Sequence, residues 1–234
     1  MSLSPNCGPR RDGARPDLVV IHYTGMSSHH AALERLCDPA AEVSAHWLIS
    51  ETGDTLALVP EDLRAWHAGA GAWGAVRDVN SRSIGIELAN PGDRPFPEPQ
   101  IAALERLLAD ILARWAIPPE RVIAHSDMAP GRKIDPGPRF DWRRLALGGL
   151  SVWPEVSEGA ERGNRGNAED REAGAAFHAA VRDFGYPDLA PDLVLTAFRL
   201  RFRPWARGPV QAADAALAAD LARRFPVDGA GTAA

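Results

Sequence analysis

The sequence predicts an α/β domain followed by a small helical one. Three observations carry this. Apolar runs at residues 17–23, 83–89 and 122–124 suit buried strands. An amphipathic pattern through Ile101, Leu104, Leu107, Leu108, Ile111, Leu112 and Trp115 separates the second run from the third. Beyond a Ser-, Glu-, Gly- and Asn-rich stretch, three more helical patterns follow. The 234 residues have room for one medium domain over 1–155, a linker over 156–168 and a helical domain over 169–234.

In order, the first strand spans Asp17 to Tyr23 and reaches His22, with Thr24-Gly25 as its break. Ser27 and Ser28 can cap a short helix carrying Ala31, Ala32, Leu33 and Leu36. Ala45–Ile49 and Thr55–Val59 flank the turn Glu51-Thr-Gly-Asp54 and predict a hairpin. Residues 60–82 read as irregular. Within them Gly69-Ala-Gly-Ala-Trp-Gly74 matches GxGxxG, but no apolar strand precedes it and no helix is expected over Val76–Ser83. A nucleotide site needs both, so none is expected.

Ser83–Ala89 alternates as a central strand, and Glu87 faces opposite to Ile86 and Leu88. A carboxylate there needs a partner or a task. Pro91–Pro99 reads as a loop, and Pro118-Pro119 stops the following helix. The last three helices are expected at 169–184, 191–202 and 210–225. Their apolar faces hold Phe177, Val181 and Phe184, then Leu193, Ala197 and Leu200, then Leu217, Leu221 and Phe225. A unit this small is expected to dock on the first domain.

The formal net charge is −5, with no basic patch to suggest nucleic acid. No apolar run approaches the roughly 18 residues a membrane span needs. The polar start, without a hydrophobic signal region, points to the cytoplasm, or to the periplasm if a leader has been removed. Cys7 and Cys37 have no metal-site spacing and read as free thiols.

Residues 121–138 concentrate the chemistry. Val122–Ala124 ends in His125, and a loop rich in proline and glycine follows with Asp127, Lys133 and Asp135. Lys133 is the only lysine against 25 arginines. A lysine offers a compact charge of tunable pKa that arginine does not. His22, His125 and Asp135 sit at or just beyond strand ends. Two imidazoles and a carboxylate suit zinc with a fourth position open for water. Glu87 could then move a proton and Lys133 stabilise an oxyanion. Each also has a structural reading: a satisfied histidine, a turn-forming aspartate, or Glu87 paired with Arg82 or Lys133. His46 and His67 compete as ligands on spacing alone.

Six segments in order change the weight of these residues: Val20-Ile-His-Tyr-Thr24, Ser44-Ala-His-Trp47, Ala65-Trp-His-Ala-Gly69, Ser83-Ile-Gly-Ile-Glu-Leu88, Ala124-His-Ser-Asp-Met-Ala-Pro130 and Arg132-Lys-Ile-Asp-Pro-Gly-Pro138. Over about residues 16–154 the chain resembles the zinc-dependent N-acetylmuramoyl-L-alanine amidases, a family related in fold to the peptidoglycan-recognition proteins. The resemblance implies a central mixed β-sheet flanked by helices with a zinc groove. It implies zinc ligands at His22, His125 and Asp135, a catalytic Glu87 and a transition-state Lys133. It puts Trp66 and His67 on the groove wall, with His46 and Asn80 as further substrate contacts.

The C-terminal helices loosely resemble a small peptidoglycan-binding module, through Phe184-Gly-Tyr186, Ala197-Phe198 and Phe202-Arg-Pro204. The implied reaction is hydrolysis of the amide between N-acetylmuramic acid, or its 1,6-anhydro form, and L-alanine. The implied partners are muropeptides or the sacculus, met by a monomer. The alternatives are a non-catalytic muropeptide-recognition protein, which typically lacks a metal ligand, and a structural zinc site with His46 as fourth ligand.

Overall fold

The computed structural model describes residues 3–155 and 167–227. The elements in chain order are β1 (Cys7–Pro9), β2 (Leu18–Tyr23), α1 (His29–Cys37), β3 (Trp47–Ile49), β4 (Thr55–Ala57), β5 (Leu63–Ala65), α2 (Val79–Arg82), β6 (Ser83–Leu88), α3 (Glu98–Trp115), β7 (Val122–Ala124), α4 (His125–Met128), α5 (Trp142–Leu147), α6 (Asn167–Phe184), α7 (Pro191–Phe202) and α8 (Ala212–Arg224).

Five strands form a mixed sheet in the order β4-β3-β6-β2-β7. β6 and β7 run parallel to β2, β3 runs parallel to β6, and β3–β4 is the antiparallel hairpin read from the sequence. The register pairs Leu18 with Ser83, Val20 with Gly85 and His22 with Glu87. Paired residues of parallel strands share a face, so these six residues lie on one side of the sheet. Val19, Ile21, Ile84, Ile86 and Leu88 lie on the other, where Leu104, Leu108 and Ile111 of α3 and Trp142 and Leu145 of α5 cover them. The helical period of α3 supplies that cover. Its last turn ends at Ala116 in the left-handed region, and Pro118 prevents continuation.

The first face is shared. Near the N-terminal ends of the strands, Leu18, Val20 and Ile123 pack with Phe177, Val181, Phe198 and Phe202 from the C-terminal helices. Each such aromatic, fully withdrawn from water, contributes about 1.5–3 kcal/mol. The helices expected to dock therefore share a hydrophobic core with the sheet. Near the C-terminal ends of the strands the same face turns polar, and a cavity opens there.

Several local expectations are revised. α3 begins at Glu98, inside the expected loop, with Pro99 in its first turn where a missing N–H costs nothing. α2 is a single turn where no helix was expected, capped by Asp78, whose side chain accepts from the Ser81 N–H. His125 opens the one-turn helix α4 and does not leave β7 on a loop. α5, β1 and β5 have three to six residues each, too few to leave a periodic signal in the sequence. The expected linker lies outside the described residues over 156–166, and its last two residues, Asn167 and Ala168, belong to α6.

A candidate metal centre at the strand ends

β2 and β7 run side by side with Ile21 opposite Ala124, so the next residue of each chain, His22 and His125, emerge together. The loop after α4 returns Asp135 to them, with the Ser126 N–H donating to the Asp135 carbonyl at 3.0 Å. The three ligand atoms form a tight triangle. His22 Nδ1 lies 2.9 Å from His125 Nδ1, and each nitrogen lies 3.0 Å from Asp135 Oδ2. All three residues are buried.

The protons on these rings follow from the outer partners. Ser83 Oγ donates to the Val79 carbonyl at 2.5 Å, so it accepts from His67 Nε2–H at 3.2 Å. That leaves His67 Nδ1 as an acceptor for His22 Nε2–H at 3.0 Å, and His22 Nδ1 keeps a free lone pair. His125 Nε2–H donates to the Ala68 carbonyl at 2.9 Å, so its Nδ1 is also bare. Two lone pairs and a carboxylate oxygen thus converge on one point. Without a cation they repel, and with one they form a face of a coordination shell. Ligands at about 2.0–2.2 Å from a tetrahedral ion stand about 3.3–3.6 Å apart, so the triangle would open by roughly half an ångström to hold one.

Electrostatics agree with this donor set. Burial, reinforced by His125, lowers His22 to about 4, so its imidazole is neutral at pH 7. Glu87, paired in register with His22, behaves oppositely. Burial raises it to about 8, the charge of Asp135 adding to the rise and Lys133 opposing it. Glu87 Oε2 is buried and has no hydrogen-bond partner among the described residues. Arg82, one expected partner, is bound to Asp17 instead.

A cavity of about 710 Å³ opens over the triangle, lined in part by Trp66, His67, Glu87, Lys133 and Arg35. Ligand cavities at the carboxyl ends of parallel strands are the rule for open α/β sheets. Lys133 and Arg35 are exposed and make no ion pair among the described residues. His46 and Asn80 do not line it. His46 is 0% exposed and lies behind the site, accepting from Gly85 N–H at 2.9 Å and donating to the Leu63 carbonyl at 3.1 Å. Both of its ring nitrogens are engaged there, and neither faces the cavity. Asn80 accepts from the N–H groups of His67 (3.0 Å) and Ala68 (2.8 Å), which fixes the loop carrying His67.

Gly85 was overlooked and is required. A Cβ there would lie 2.4 Å from His67 Cγ, so only glycine lets the imidazole lie on the strand beside His22. A glycine inside an apolar strand was the available signal.

Fold and cluster define the class: an α/β protein with two histidines and an aspartate that could hold a metal ion gathered at the ends of its parallel strands. The comparisons narrow it. Residues 12–138 match the family model described as N-acetylmuramoyl-L-alanine amidase. AmiD of Escherichia coli K12, an N-acetylmuramoyl-L-alanine amidase, is 37% identical over 92% of this chain and 85% of the relative. AmpD of Haemophilus influenzae, a 1,6-anhydro-N-acetylmuramyl-L-alanine amidase, is 40% identical over 60% of this chain and 86% of the relative. Among solved structures, E. coli AmiD in complex with anhydro-N-acetylmuramic acid-L-Ala-D-gamma-Glu-L-Lys superposes with a TM-score of 0.80 at 35% identity, covering 93% of both chains. AmpDh3 of Pseudomonas aeruginosa with an anhydromuramic pentapeptide superposes at 0.77 with 31% identity, covering 94% of this chain and 96% of the other. The chain belongs to the N-acetylmuramoyl-L-alanine amidase family, and it is an enzyme of this type.

Proposed function

We propose that the protein hydrolyses the amide between N-acetylmuramic acid, including its 1,6-anhydro form, and L-alanine in muropeptides, with zinc held by His22, His125 and Asp135. The observation that carries this is the convergence of two bare imidazole nitrogens and one carboxylate oxygen beside an unpartnered Glu87. Zinc in such a site acts as a Lewis acid that polarises a carbonyl and acidifies water.

The chain's own residues divide the remaining tasks. Glu87 takes the proton from the attacking water and returns it to the departing alanine nitrogen. Burial lifts this carboxyl above the usual carboxylate range, which favours its holding the proton between the two halves of that transfer. Lys133 brings a mobile ammonium to the oxyanion that develops on the former carbonyl oxygen. Trp66 and His67 line the cavity wall. Arg35, at the cavity's edge, suits a stem peptide that carries carboxylates.

The test is incubation with soluble anhydromuropeptides and with intact sacculi side by side, with and without a chelator, and product masses read out. Release of the free stem peptide, abolished by the chelator and restored by zinc, is expected. Intact muropeptide after incubation with the zinc-loaded protein would favour a recognition role without hydrolysis.

A further inference from the structure

The helical patterns at the C-terminus resemble a ligand-binding module, yet two side chains of this unit reach a support of the candidate metal site. Asp127, two residues after His125, caps its own helix by accepting from the Ala124 N–H at 2.9 Å. Its other contacts come from the C-terminal unit, one from the turn after α6 and one from α7. Tyr186 OH donates to Oδ1 at 2.6 Å, and Arg201 Nη1 donates to Oδ2 at 2.6 Å. Asp127, Tyr186 and Arg201 are 0%, 2% and 2% exposed. Arg201 is itself fixed by the Val122 carbonyl at 3.2 Å, by Ser151 Oγ at 3.0 Å, and by the Trp142 ring 4.2 Å below its guanidinium.

Two further contacts reach the neighbouring walls. Gly74 N–H donates to the Gly185 carbonyl at 2.8 Å, and Trp73 packs edge-on against Phe184 and Tyr186. Gly185 has a φ of +135°, and a Cβ there would stand 2.5 Å from the Trp73 ring, so the turn accepts only glycine. This anchors the loop that carries His67. On the other side, Leu193 of α7 sits against Gly131, at the start of the segment that carries Lys133 and Asp135.

We infer that Tyr186 and Arg201 are positioning residues for the metal ligand His125: they lock Asp127, hence α4, so the C-terminal helices complete the metal site. This rests on the reading of His22, His125 and Asp135 as metal ligands. A buried ion pair gains little net stability over a well-packed apolar replacement, so its contribution is in geometry. The Tyr186 hydroxyl is held well above its usual pKa by burial and by the Asp127 charge, so it remains a donor.

The test uses the full-length protein as Tyr186→Phe and Arg201→Met, with Asp214→Asn as the comparison. Asp214 is equally buried and pairs with Arg199 and Arg203 inside the helical unit, away from α4. Zinc affinity is measured by chelator competition, the cobalt-substituted absorption spectrum is recorded, and hydrogen exchange is followed over residues 124–129 without metal. Tyr186→Phe removes one oxygen and should fold. It should weaken zinc binding about 10–100-fold, as loss of groups that orient a ligand does, change the cobalt spectrum and speed exchange in α4. Asp214→Asn should lower the melting temperature and leave affinity and spectrum as in the parent. Tyr186→Phe and Arg201→Met binding zinc like the parent, with an unchanged spectrum, would overturn the inference. So would an equal affinity loss in Asp214→Asn. A parent that binds no zinc would instead strike down the metal reading itself.

Discussion

His22 and Glu87 stand side by side on adjacent parallel strands, in register, one with its imidazole held neutral by burial and the other with its carboxyl raised by it. One side chain is bound into the ligand triangle and the other is kept out of it. That difference separates their predicted effects.

Glu87→Gln should bind metal as the parent does and lose turnover by about 10²–10⁴-fold, the usual contribution of a proton-transfer group. Metal content and kcat measured on one preparation check this. Unchanged turnover would remove Glu87 from the mechanism.

Glu87 also predicts a pH dependence of stability in the metal-free protein. Its folded value of about 8 lies above the ordinary 4.5, so folding favours the protonated form. That contribution is complete below pH ~4.5 and is lost as pH rises through ~8. Glu87→Gln cannot ionise, so its melting temperature should match the parent near pH 4.5 and exceed it by several degrees near pH 8. Thermal unfolding in chelator across this range is the measurement. A constant difference would mean Glu87 is not desolvated.

Lys133→Ala should lower kcat by roughly 10²–10³ with zinc affinity intact, since its task arises only as negative charge develops. Arginine at the same position should rescue poorly, because its planar, always-charged fork differs from a mobile ammonium. A change confined to KM would assign Lys133 to substrate binding.

Gly85→Ala should push the His67 ring off the strand, because the added carbon would meet it at 2.4 Å. Overpacking of this kind costs about 1–3 kcal/mol. Displacing the acceptor of His22 Nε2–H should also weaken metal binding. Calorimetric unfolding and chelator competition read the two effects separately.

The sheet and its helices were legible because their signals are local. β2, β6 and α3 show their periods in the sequence, and Glu87 announced itself as a carboxylate in an apolar strand. The ligand set was legible only as candidates, since His22 and His125 lie 103 positions apart and nothing local excluded His46 or His67. The register of β2 with β7 and the fold of the 126–135 loop bring His22, His125 and Asp135 together. The supports were hidden. Asp127 read as a loop ionisable group, and its partners stand 59 and 74 positions downstream. His46 and Asn80 serve the site from behind, through main-chain hydrogen bonds that no side-chain pattern reveals.

The most direct test of the account is a crystal of the zinc-loaded protein measured at the zinc absorption edge. The account predicts one anomalous peak at about 2.0–2.2 Å from His22 Nδ1, His125 Nδ1 and an Asp135 carboxylate oxygen, with one position left for solvent. A peak bound by His46 or His67, or none between those three atoms, would contradict it.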